Sequence, residues 1–277
     1  MAALLALSGA LLWGVGDFLG GFASRRVTVL AVLAISQAVG LAGVVLWVLL
    51  AGDPFPGVVE LLPAVGAGIA GIVGLGALYR GLAVGAMGIV APISAAGPVV
   101  PLAADIAQGV IPTALQWLGV ALVIGGIVTL SREPTPAAGA RVAAGVGLAL
   151  LAAAGFGAFW VGLDASTDES VPWAVAAVRS TSVAIALAAV LLTSTSLRVP
   201  ASLLLVIAGV GVFDTGANVA VAAASTEGAI GIVAVLSALY PVVTVLLARL
   251  VLRERLSAAR RGGGVVALAG AALVAVA

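Results

Sequence analysis

The 277-residue chain has no cysteine, no histidine and no lysine, and only 8% of it is charged. Without cysteine there are no disulfides, and the redox compartment leaves no mark on the sequence. Without histidine, the commonest general base and the commonest metal ligand are both missing. A net charge of +1 gives no footprint for nucleic acid. All 12 basic residues are arginine, which we read as GC-rich codon usage in a bacterial source. No cofactor motif is present.

What is there is apolar. Hydrophobic residues make up 63% of the chain and mean hydropathy is +1.32, far from the balance of a soluble domain. A bilayer core needs about 20 apolar residues per helix. Ten such runs lie near 3–23, 28–51, 59–82, 88–108, 113–130, 142–163, 172–194, 202–224, 229–251 and 262–277. The first has no basic segment before it, so it reads as a transmembrane helix rather than a cleaved signal peptide. The chain is therefore expected to be an all-α integral membrane protein of ten transmembrane helices.

Loop charges orient it. Arg25, Arg26, Arg80, Arg132, Arg141, Arg198, Arg249, Arg253, Arg255, Arg260 and Arg261 all fall at one set of helix ends. Asp53, Glu60, Asp164, Asp168, Glu169 and Glu227 fall at the other. Arginine-rich loops stay in the cytoplasm, so both termini are expected outside a bacterial plasma (inner) membrane.

The chain also repeats itself. Residues 88–100, "GIVAPISAAGPVV", and 231–243, "GIVAVLSALYPVV", agree at nine of 13 positions at an offset of 143. The same offset aligns Trp13-Gly14 with Phe156-Gly157, and an offset of 145 aligns 119–126 with 264–271. Five helices per half is an odd number, so the second half inserts upside down. That makes two inverted five-helix repeats, 1–136 and 137–277, hinged at the loop 131–141. Transporters use this construction to open a central site to each side in turn.

The repeated segments carry the first candidate residues. Pro98 and Pro241 each release the carbonyl four residues earlier, at Ser94 and Ser237. Exposed backbone at membrane depth is tolerated only against protein or a watery cavity, so both sites can line a substrate path or simply shape packing. The glycines of 66–76 and 262–264 read as close helix packing. Buried charges are costly and mark function. On a rise of about 1.5 Å per residue, Asp17 lies roughly 20 Å below the outer face, Asp214 about 12 Å and Arg179 about 10 Å. Arg179 and Asp214 are expected to pair; otherwise Arg179 can hold a substrate carboxylate through its planar fork. Asn218, one turn from Asp214, can join either arrangement. Asp17 has no partner nearby in sequence, and an isolated carboxylate in a low dielectric can take up a proton or bind an amine; a salt bridge to an arginine is the plainer alternative. Trp13, Tyr79, Trp160 and Tyr240 can stack on a solute or pack. Asp105 and Gln37 are weaker candidates, Gln37 as an interhelical hydrogen bond.

The duplicated halves, the "S-A-x-x-P-V-V" segments at 94–100 and 237–243, and the ending from Leu252 to Val274 resemble the EamA-type drug/metabolite transporters. The turn "GVIPTALQ" (109–116) departs from that pattern, lacking the acid found as Glu254. The resemblance implies a central cavity built mainly from helices 1, 3, 4, 6, 8 and 9, with helices 5 and 10 outside. It also implies alternating-access movement of amino-acid-like or drug-like metabolites, more often efflux, in a bilayer. It leaves open whether the chain is a monomer or a homodimer. A lipid-linked sugar flippase on the same fold is the alternative. An intramembrane aspartyl protease is a weaker one, suggested by "GVGD" (14–17) and "DTG" (214–216). With 37 glycines, a chance GxGD is too common to carry an assignment, and the two aspartates are expected about 8 Å apart in depth.

Overall fold

The computed structural model describes residues 1–24, 26–84, 93–94, 96–131, 139–251 and 257–276, with side chains described for all of these except 79–84, 131, 139–144, 245, 248 and 249. The described residues form helices α1 (Ala2–Ser24), α2 (Val29–Ala51), α3 (Leu62–Val84), α4 (Val99–Ala107), α5 (Ala114–Ser131), α6 (Gly139–Asp164), α7 (Val171–Thr193), α8 (Ala201–Ser225), α9 (Ile230–Ser237), α10 (Tyr240–Val251) and α11 (Ala258–Val276). Among the described residues, six helical stretches are long and apolar enough to cross a membrane, and three shorter apolar ones lie at 62–78, 114–130 and 230–244. The boundary expected between 136 and 137 falls outside the described residues.

Hydroxyl caps set several helix starts, as they satisfy the first free N–H groups. Thr28 accepts from Ala31 N and Ser170 from Trp173 N, each at 3.3 Å. Thr113 and Gln116 cap each other reciprocally, with Thr113 N donating to Gln116 Oε1 at 2.9 Å. The turn that lacks an acid therefore still starts its helix. The tenth run was expected to begin at 262, but α11 starts at Ala258 because Ser257 Oγ accepts from Arg260 N at 3.3 Å.

Helix pairing follows the repeat. α1 packs along α8 as α3 packs along α6, and α1 meets α9 and α10 as α6 meets α4. The pairs α2·α7 and α5·α11 each join a helix to its own counterpart, and α4·α9 joins the second part of the fourth run to the first part of the ninth. The recurrence of Trp13-Gly14 as Phe156-Gly157 has a packing reason. A Cβ on Gly14 would stand 2.8 Å from Tyr240 O and Val243 Cγ1, and one on Gly157 2.8 Å from Gly97 O. Each glycine seats the helix that follows the proline break of the opposite half.

Part of each glycine stretch packs as expected, while a Cβ on Gly66, Gly76 or Gly262 would meet nothing within 4 Å. Gly68 lies on Val178 and Thr181, while Gly71 and Gly74 lie on Phe159 and Phe156. Gly119 faces Gly270 and Gly126 faces Gly263 where α5 crosses α11, and these two helices sit to one side of the bundle, against α9 and α10. A Cβ on Gly126 would stand 2.6 Å from Gly263 O, whereas one on its neighbour Gly125 meets nothing within 4 Å. Gly126→Leu should therefore cost about 1–3 kcal/mol or more and lower the melting temperature in detergent, while Gly125→Leu should not. Equal melts for the two variants would contradict this packing.

Candidate functional site

Both proline segments interrupt their helices at equivalent places. The fourth run turns at 96–98 before α4, and the ninth turns at 238–239 between α9 and α10. Ser94 O is taken up by Gly97 N at 3.4 Å. Ser94 and fully buried Pro98 sit inside the protein, as does Ser237, whose hydroxyl donates to Ala6 O of α1 at 3.4 Å. Pro241 is half-buried, on the first turn of α10.

Arg179 on α7 meets Asp214 on α8, as expected. Its Nη1 donates to Asp214 Oδ2 at 2.6 Å and to Gln37 Oε1 on α2 at 2.5 Å. Gln37 Nε2 donates to the same Asp214 Oδ2 at 3.0 Å, closing a three-helix cluster. Gln37 thus does more than join two helices: it bonds both charges. Helices 2 and 7, absent from the cavity-lining set implied by the resemblance, supply two of the three members. Arg179 is 2% exposed and its Nε and Nη2 meet no acceptor among the described residues. Asn218 is buried one turn along α8 and stands outside these bonds.

Asp17 differs from all of these. It is exposed, and among the described residues no hydrogen bond or ion pair reaches it. It faces Asp214 and Tyr240 across the α1·α8 and α1·α10 contacts, within electrostatic range of both. The expected 8 Å difference in depth between Asp17 and Asp214 does not hold. The antiparallel register runs from Ala2 against Gly228, through Gly9 against Val221, to Gly16 against Asp214 N. The non-helical stretch after α8 adds residues that counting from the ends of the runs left out, so the two carboxylates lie almost level.

One turn before Asp17, on the same face of α1, Trp13 stands edge-on to Phe159, Trp160 and Tyr240, with ring centroids 6.2, 6.3 and 6.3 Å away. Trp13 and Tyr240 are partly exposed, while Trp160 is buried. The Tyr79 side chain lies outside the described residues. The repeat is filled unequally here. Tyr240 aligns with Gly97, where a Cβ would stand 3.1 Å from Trp160 and 3.3 Å from Phe156. In one half a tyrosine fills the corner and in the other a tryptophan does. Asp105, towards the far end of α4, accepts the Gly231 N–H at 2.7 Å.

At the acidic helix ends the packing is continuous. Ala6, Leu102, Leu163, Val175, Val221, Val233 and Val235 belong to one buried cluster. Asp53 ties the α2–α3 loop to the start of α7, taking Ser170 Oγ at 2.8 Å on its carboxylate and Trp173 Nε1 at 3.1 Å on its carbonyl. Of the arginines expected at the opposite ends, Arg26 lies over the Phe22 ring and Arg260 Nε donates to Leu130 O at 2.8 Å. Arg25, Arg132, Arg253 and Arg255, with Glu254, lie outside the described residues, as do the side chains of Arg80, Arg141 and Arg249.

Comparison with known proteins agrees with this architecture. A crystal structure of another protein is 19% identical over 99% of this chain and 96% of its own, with a TM-score of 0.83; at that identity the likeness is one of fold. No curated protein sequence matches. The EamA-like transporter family model matches residues 1–132 and again 143–276. The molecule is a multi-pass membrane protein of duplicated, inverted halves from a family of transporters rather than enzymes, and the chain belongs to the EamA-like transporter family.

Proposed function

We propose that the chain exports small amine-bearing metabolites, amino-acid-like or drug-like, by alternating access. Asp17 meets the amine, or the proton exchanged for it. The observation that carries this reading is the contrast between the two kinds of charge. The Asp17 carboxylate is open and unpaired among the described residues, while the Arg179 guanidinium is shut behind Asp214 and Gln37. A solute entering between the halves meets a negative group first, with Trp13 and Tyr240 alongside to stack on it or to hold a cation on their faces. Trp160, Ser94, Ser237, Pro98 and Pro241 shape the walls and the helix breaks around that place. Asn218 and the Arg179–Asp214 pair support it from α7 and α8. The arginine bias supports a cytoplasmic arginine face, with both termini outside. It also puts the open carboxylate within reach of cytoplasmic solutes.

A ligand that binds the folded state raises its melting temperature. Amines and amino acids should therefore stabilise detergent-solubilised protein in a thermal-shift panel, and should fail to stabilise Asp17→Asn. Stabilisation by carboxylates that lack an amine would overturn the reading in favour of Arg179. A panel in which only lipid-linked sugars act would favour the flippase.

A further inference from the structure

Asp17 and Asp214 lie almost level across the α1·α8 contact, yet only one of them is free to trade its counter-ion. Asp214 Oδ2 takes Arg179 Nη1 at 2.6 Å and Gln37 Nε2 at 3.0 Å, and Gln37 Oε1 takes the same Nη1. The α2·α8 crossing is closed on both sides of Gln37, with Gly211 seated on the Ser36 carbonyl and Gly40 on the Thr215 hydroxyl. Asp214 cannot draw away from its partners without parting these helices. Asp17 has no such tie: among the described residues no hydrogen bond or ion pair reaches it.

The elements packed against α1 bring it little other charge. α8 turns Asp214 towards Asp17, and α10 turns Tyr240, a phenol uncharged at neutral pH. α6 brings the rings of Phe159 and Trp160. α2 and α9 contain no titratable residue, and the side chain of Arg249, further along α10, lies outside the described residues. Taken together, Asp17, Asp214 and Arg179 leave one negative charge over, and it resides on Asp17.

A carboxylate left so at membrane depth needs a proton or a cation beside it. We propose that the site carries a single exchangeable charge, so that one proton replaces each amine leaving Asp17, and that membrane potential therefore acts on zwitterionic solutes but not on singly charged cations. This rests on the export reading above. The ammonium group leaves the Asp17 carboxylate at the acidic face, a proton from that side takes its place, and the proton is given up at the arginine face. Expelling a monocation in this way moves no net charge. A zwitterion carries no net charge out, so the returning proton moves one positive charge inward. If Asp214 traded its partner as well, two protons would return, and monocation export would respond to potential too.

Leucinamide and leucine test this as a matched pair, since one is a monocation and the other a zwitterion. Proteoliposomes of the full chain, beside protein-free and Asp17→Asn vesicles, are given a tenfold gradient of either solute. The opposing proton gradient at which protein-dependent flux stops is read with and without a potential set by potassium and valinomycin. Without a potential, both solutes should balance at a tenfold proton gradient. A potential of about 60 mV, worth tenfold for one charge, should leave the leucinamide balance in place and shift the leucine balance about tenfold. A leucinamide balance that moves with potential, or a balance near a roughly threefold proton gradient, would mean two exchangeable carboxylates and overturn the proposal. So would a leucine balance indifferent to potential. No protein-dependent flux of either solute, or proton-driven flux that survives in Asp17→Asn, would instead overturn the export reading and the single charge with it.

Discussion

Arg179→Ala is expected to destabilise the protein by on the order of 3–5 kcal/mol. The reason is what remains behind. Asp214 would keep only the Gln37 amide as partner, with its side chain 28% exposed, and a carboxylate left uncompensated in a low dielectric is costly. That partial exposure puts the loss towards the lower end of the range. Asp214→Ala should be at least as damaging, because Arg179 is more deeply enclosed. The charge-reversed pair, Arg179→Asp with Asp214→Arg, should recover much of what either single change loses. Removing both charges together with the buried amide that bonds them, in Arg179→Met, Asp214→Leu and Gln37→Met, should be nearly neutral, since apolar replacement of a buried pair often costs nothing and no polar partner is left stranded. Melting temperatures of the four proteins in one detergent decide the matter. Failure of the reversed pair to recover would mean that Arg179 and Asp214 do not stabilise each other.

Asp17→Asn is expected to do the opposite, leaving the melting temperature in place and removing function. No bond holds Asp17 among the described residues, so an amide of the same shape leaves nothing unpaired. Proton-driven accumulation of an amine should fall at least tenfold, to the level that follows the solute gradient alone, because an amide neither takes up the proton nor attracts the cation. Retained accumulation in Asp17→Asn would take the coupling role away from this residue. A large drop in melting temperature would instead show a structural bond at Asp17.

Much of this arrangement was legible in the sequence because a bilayer imposes simple requirements. Long apolar runs had to be helices, and described helix ends mostly fall within three residues of those runs. An odd number of helices per half fixed the inversion. The Arg179–Asp214 pair followed from consecutive antiparallel helices carrying opposite charges at similar depth. Gln37 was harder to place, because nothing local links residue 37 to residues 142 and 177 positions away; only the α2·α7 and α2·α8 contacts bring them together. The level of Asp17 relative to Asp214 was misjudged because the stretch around 226–228 continues alongside α1 after α8 has ended. The serines of the repeated segments show a different limit. Their recurrence is plain in sequence, but whether a hydroxyl faces a solute or a neighbouring backbone depends on helix rotation. For Ser237 it is the Ala6 carbonyl.

We propose that a solute passing between the two inverted halves meets the open Asp17 carboxylate. The most direct test is flux of amines, amino acids and carboxylates into sealed proteoliposomes, with and without an imposed proton gradient, beside protein-free and Asp17→Asn vesicles. Amine accumulation that the gradient drives in wild type only is the predicted result. Carboxylate flux indifferent both to the gradient and to Asp17→Asn would contradict it.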